Sequence, residues 1–97
     1  MYGLIGSFTA VAGQRDALIA LLLDGSKDMP GCLSYVVARD AADADLLWVT
    51  EVWDSEASHA ASLNLPSVRA AIAKGRPLIA GMGSRAVTTP MGGQGLP

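Results

Sequence analysis

Alternation of apolar and polar positions is clearest in the middle of the chain. In the run Leu46–Trp53, residues Leu47, Val49, Glu51 and Trp53 fall on one side of an extended strand, and Trp48, Thr50 and Val52 fall on the other. Both tryptophans of the protein therefore lie in one strand and point opposite ways. Bulky residues on both faces, with a single carboxylate among them, predict a central strand covered on both sides. Asp54 and Ser55 then offer an N-cap, and Glu56 puts negative charge in the first turn of a helix over about residues 55–63.

The flanking pattern supplies the other elements. Residues 2–11 are rich in β-compatible side chains and stop before Gly13, which predicts a first strand. Leu18, Leu21 and Leu22 recur at helical spacing, so an amphipathic helix is expected over about residues 14–28, weakened near its end by Gly25 and closed before Pro30. Pro30-Gly31 is a turn signal leading into a strand at Cys32–Arg39. The acidic stretch 40–45 suits a hairpin loop. After a break at Asn64-Leu65, Pro66 fits the start of another helix, read from Ser67, in which Val68, Ala71 and Ile72 share one face while Arg69, Lys74 and Arg76 lie elsewhere. Gly81-Met82-Gly83-Ser84 reads as a connection to a last strand at about residues 85–89. The order strand, helix, strand, strand, helix, strand is that of the ferredoxin-like βαββαβ arrangement: an α+β fold with helices on one face of an antiparallel sheet. The opposite face, lined by Trp48, Thr50 and Val52, then calls for a second copy, giving a two-fold dimer. Residues 1–90 form the expected domain, and residues 91–97 a flexible Gly-rich tail.

Composition narrows the function classes. Of 97 residues, 51% are hydrophobic and 16% charged, a lean polar surface that favours an interface between chains. The net charge of −2 is spread along the chain, with no basic stripe for a nucleic acid backbone. Cys32 is the only cysteine, so no internal disulfide can form, and a reducing, cytoplasmic location is the expectation. The apolar start contains Ala10-Val11-Ala12, which imitates a signal-peptidase site, but no basic residue precedes it, and the stretch reads as strand. No apolar run approaches the roughly 18 residues of a membrane span.

Candidate chemistry is sparse. His59 is the only histidine and Cys32 the only thiol, so three nitrogen or sulfur ligands cannot gather for a metal. Asp40, Asp43 and Asp45 lack the spacing of a calcium loop. No glycine-rich nucleotide fingerprint or nucleophile elbow occurs. What remains is a group in the second half: Trp53 at a strand end, His59 one and a half turns into the next helix, and Arg69 on the helix after. Together they could stack a planar ligand, move a proton near neutral pH and hold an oxyanion. The plainer reading of the same residues is core tryptophan, surface histidine and solvated arginine. Tyr35 allows both a core and a binding role.

At Pro30-Gly31-Cys32-Leu33-Ser34-Tyr35, at Val49-Thr50-Glu51-Val52-Trp53-Asp54-Ser55, and at residues 63–72, the chain resembles the antibiotic biosynthesis monooxygenase family, especially its quinol monooxygenase-like branch. The likeness runs from about Tyr2 to Pro90. It implies a dimeric α+β barrel, and oxidation of phenolic or polycyclic substrates by molecular oxygen without metal or organic cofactor. In a polyketide-tailoring relative an asparagine, a tryptophan, a tyrosine and an arginine line the pocket. The resemblance puts Val49, Trp53, His59 and Arg69 at those positions. Heme degradation is not implied, because Gly6, Ser62 and Ala73 stand where that branch has its asparagine, tryptophan and histidine.

The resulting expectation is a homodimeric, cofactor-independent monooxygenase acting on a small aromatic molecule, with no nucleic acid or membrane partner. His59 would be the proton acceptor, Arg69 the anion-stabilising group, and Trp53, Val49 and Tyr35 the substrate contacts. The alternative is a non-catalytic small-molecule-binding or dimerisation module on the same barrel.

Overall fold

A computed structural model describes residues 1–97. Four strands, β1 (Tyr2–Ala10), β2 (Cys32–Arg39), β3 (Leu46–Trp53) and β4 (Ile79–Thr88), form one antiparallel sheet in the order β2-β3-β1-β4. Helices α1 (Arg15–Gly25), α2 (Glu56–Ser62) and α3 (Pro66–Gly75) complete the ferredoxin-like α+β fold, with a short 3₁₀ turn at Arg76–Leu78 leading into β4. The strand read as central is an interior strand, flanked by β2 and β1.

Register defines the two faces. One row across the sheet runs Tyr35, Glu51, Leu4, Val87, and the row two residues along runs Val37, Val49, Gly6, Arg85. These rows face the helices. Between them, on the opposite face, lies the row Val36, Thr50, Ile5, Ala86. The core sits under the helices around Ala10, Leu18, Leu47 and Val49, with Phe8, Leu22, Tyr35 and Leu78 packed against it. Leu47, Val49 and Trp53 are all buried, as the alternation requires.

Three boundaries differ from the sequence reading. Helix α1 stops at Gly25, three residues short of the expected end, and Asp28 turns the chain with a φ of 54°. A Cβ on Gly25 would strike the Ala71 side chain on α3 and lie 3.2 Å from the Ser67 carbonyl, so the glycine is a contact point between the two helices. Pro66 itself is the first residue of α3, where its missing N–H costs nothing.

The largest correction concerns β4, which begins at Ile79 and takes in the glycine-rich stretch expected to be a connection. It pairs with β1 along almost its whole length, but β1 advances by two residues from Gly6 to Phe8 while β4 advances by three, from Arg85 to Met82. This bulge is pinned by Ser7, whose buried hydroxyl accepts a hydrogen bond of 2.8 Å from the Ser84 N–H. The extra residue puts both Met82 and Arg85 on the helix-facing side, a re-aiming typical of bulges on edge strands.

Elsewhere the loop at 40–45 is the expected acidic hairpin. The Asp40 carboxylate accepts from the N–H groups of Ala42 and Asp43 and from Trp48 Nε1 at 2.9 Å. No helix is long and apolar enough to cross a membrane.

Candidate functional site

The helices cover the β2–β3–β1 part of the sheet and leave a cleft that continues toward β4. It has two lobes. The first, of about 200 Å³, lies beneath the end of α1 and beside α2 and α3, among Met29, His59, Leu63, Val68 and Ile72. The second, of about 390 Å³, lies over β1 and β4, among Leu4, Gly6, Val49, Met82 and Arg85. Phe8, Leu22, Tyr35 and Glu51 line both. The walls are mainly apolar with a few converging polar groups, which is the usual make-up of a small-molecule site.

Trp53 ends β3 without any exposed surface, so it forms the floor of the first lobe rather than a freestanding wall. Its indole Nε1 donates to Glu51 Oε1 at 3.1 Å. His59 reaches the floor because α2 starts only three residues after β3. Ser55 caps that helix, accepting from the Ser58 N–H at 3.1 Å. The imidazole meets Trp53 edge-on, with ring centroids 5.4 Å apart and planes at 71°, and lies 5.6 Å from the ring of Tyr2.

Glu51 was legible only as the single carboxylate on an otherwise apolar face. It is half-buried at the junction of the lobes. Burial raises its pKa above the ordinary carboxylate range, opposed by the Trp53 hydrogen bond and by the positive charges of His59 and Arg85. The same carboxylate acts on its neighbours. Burial first, and the Glu51 charge second, push up both the Tyr35 hydroxyl and the Cys32 thiol.

The structure brings Trp53, His59 and Tyr35 to the first lobe, and Val49 and Tyr35 to the second. Arg69 joins neither. It lines a separate depression with Ala73 and Arg76, and Leu63 and Ile72 stand between that depression and the first lobe. The cation that does reach the cleft is Arg85, which sequence reasoning passed over because the bulge that orients it depends on pairing with β1.

The family profile described as antibiotic biosynthesis monooxygenase matches residues 1–74. No curated protein matches the chain. Among solved structures, a candidate antibiotic biosynthesis monooxygenase from Chloroflexus aurantiacus J-10-fl is 61% identical over 99% of this chain and 98% of its own, with a TM-score of 0.96. One from Deinococcus radiodurans is 25% identical, covering 96% and 95% of the two chains with a TM-score of 0.78. A third, from Nitrosomonas europaea, shares the fold at 13% identity, with 94% and 99% coverage and a TM-score of 0.84. With the profile spanning most of its length and a relative this similar from end to end, the chain belongs to the antibiotic biosynthesis monooxygenase family.

Proposed function

We propose that the protein is a monooxygenase that oxidises a small hydroxyaromatic, such as a phenol, hydroquinone or anthrone, with molecular oxygen. The observation that carries this reading is the two-lobed cleft, apolar along its walls and supplied with proton-transfer groups from three side chains, Glu51 and Tyr35 where the lobes meet and His59 in the first lobe. The substrate supplies the reducing electrons, so the reaction runs without metal or organic cofactor. With an anthrone, loss of a proton gives a carbanion whose electron passes to O2. Recombination gives a peroxide anion that takes the proton back to become a hydroperoxide, which loses water to leave a carbonyl. One oxygen atom stays on the substrate, and the other leaves with the two hydrogens of the original methylene.

Apolar walls exclude water from the anion and the radical pair, which limits escape of reduced oxygen. The exposed apolar side chains Ile5 and Val36, adjacent to the row's Thr50 on the helix-free face, support a two-fold dimer in which that face is covered by a second copy.

One observation favours a second reading: Val49 is buried and apolar where the resemblance implies an asparagine, as expected of a module that binds a ligand without transforming it. Oxygen uptake by the purified protein, with product mass, separates the two. Gain of one oxygen and loss of two hydrogens from an anthrone supports the monooxygenase; tight binding without uptake supports the module.

A further inference from the structure

The two lobes meet at a carboxylate that the fold itself does not need. The other helix-facing residues of β3, Leu47, Val49 and Trp53, are buried and apolar, and placing an ionised group among them is costly unless donors and cations offset it. Glu51 has one hydrogen bond, from Trp53. The groups that face it are His59 from α2, Arg85 from β4, and Tyr35 and Cys32 from β2; α1 contributes only Leu22 and Gly25 to the cleft, followed by Ser26 just beyond its end.

Arg85 and Glu51 do not form an ion pair, since the salt bridges of the chain are Lys27–Asp24 and Arg39–Asp16. In the sheet Arg85 stands opposite Gly6, and Gly6 opposite Val49, so Arg85 is two strand spacings, about 10 Å, from β3 and diagonal to Glu51. The floor between them is open because Gly6 has no side chain: a Cβ there would find no neighbour closer than the Ser84 carbonyl at 3.7 Å. A carboxylate on one side, a guanidinium on the other and an empty floor between them make a slot for a group that gives up a proton and becomes negative.

We propose that Glu51 takes the proton from a hydroxyaromatic or anthrone bound in the second lobe, and that Arg85 holds the resulting oxyanion over the gap at Gly6. The assignment rests on the oxidative reading above and deepens it. In this step an O–H or C–H bond of the substrate breaks, its electron pair stays on the substrate as phenolate or enolate, and Glu51 becomes a carboxylic acid; nothing is oxidised or reduced. Recombination with oxygen leaves a peroxide anion, which takes the proton back from Glu51 to become the hydroperoxide; the regenerated carboxylate then accepts the remaining C–H proton as the O–O bond breaks and passes it to the departing hydroxide, which leaves as water. Burial of Glu51 brings its acidity closer to that of the substrate, which eases transfer in both directions. Trp53 is a positioning residue that orients the carboxylate through its indole N–H. Arg85 supplies the charge that Arg69, outside the cleft, does not.

The test is anaerobic rapid mixing of the protein with 1,8-dihydroxyanthrone, whose enolate is visible by absorbance, followed by admission of oxygen. The wild-type protein is expected to form the enolate, with an acid limb in the rate. Glu51→Gln should slow formation by about 10²-fold or more and abolish that limb, and Glu51→Asp should restore part of the rate. Arg85→Ala should lower turnover by about 10²-fold, as expected for loss of an oxyanion donor. Gly6→Val, a β-compatible residue placed in open space, should keep the fold and block probe binding.

The proposal is overturned if the wild-type protein forms no enolate, if Gly6→Val binds the probe normally, or if Glu51→Gln stays within about threefold of wild type, well short of the loss expected for a general base. Enolate that forms in wild type but reacts with oxygen no faster than in buffer would instead overturn the oxidative reading and leave the proton transfer standing.

Discussion

Replacing Gly25 by alanine should loosen the wall of the cleft at a calculable cost. A Cβ built on Gly25 lands against the Ala71 methyl, 3.2 Å from the Ser67 carbonyl and 3.8 Å from Ala71 Cα, so α3 must move for the methyl to fit. Overpacking of this kind costs roughly 1–3 kcal/mol. Against it stands the helix preference for alanine over glycine, about 1 kcal/mol in a helix interior and less here, because Gly25 is the last residue of α1. The net loss should be about 1–2 kcal/mol. For a domain of this length that lowers the melting temperature by roughly 5–15 °C. Urea and thermal unfolding followed by tryptophan fluorescence would measure it. Ala71→Gly costs about 1 kcal/mol by itself. Added to Gly25→Ala it removes the methyl being struck, so the double variant should be more stable than the sum of the two losses, by on the order of 1 kcal/mol. A Gly25→Ala protein as stable as wild type, or a cycle with no coupling, would refute the close packing of α1 on α3.

The remaining predictions follow from the carboxylate, its partner and the bare sheet face. Because burial raises the Glu51 pKa on folding, the native state binds more protons than the unfolded chain above about pH 4, and stability falls as pH rises through the folded value. Glu51→Gln should therefore be more stable than wild type at neutral pH and lose that advantage below about pH 4; a urea midpoint difference that is flat with pH would count against it. Trp53→Phe removes the donor to Glu51 at a cost of about 2 kcal/mol. Since that hydrogen bond favours the ionised carboxylate, the acid limb of the activity profile should move to higher pH, and a limb that stays put would deny the link. Sedimentation should show a dimer that an Ile5→Lys, Val36→Lys variant weakens by about 10²-fold or more, because two charges would enter an apolar contact; a wild-type monomer at micromolar concentration would remove the dimer.

Where the sequence was legible, the determining contacts were local. Cys32–Arg39 is bracketed by Pro30-Gly31 and Asp40, and its ends match the strand seen. The alternation in β3 depends on neither partner strand, and it placed Leu47, Val49 and Trp53 inward correctly. The proximity of His59 to Trp53 is also local, since only the capped turn at Asp54 and Ser55 separates their elements. By contrast β4 was misread because glycine normally marks a turn, whereas here Gly83 sits where a Cβ would meet the Ser7 hydroxyl, a contact 76 residues away in sequence. The end of α1 was hidden in the same way, by the approach of Ala71.

The site was partly readable by a step that the sequence permitted and that the grouping of Trp53, His59 and Arg69 overlooked. The helical phase that turns Val68, Ala71 and Ile72 toward the core necessarily turns Arg69 away, and those three are the α3 residues that line the first lobe. Glu51 was equally visible: it is the only charge on a face whose other members are buried. A neutral residue there would relieve the desolvation that raises its pKa, so the fold gains nothing from an acid at that position. Perturbed groups that cost stability and open onto a cleft are candidates for chemistry. The alternation pattern that identified the core strand thus also identified the residue least explained by the core. Only Arg85, aimed by a bulge between distant segments, required the three-dimensional structure.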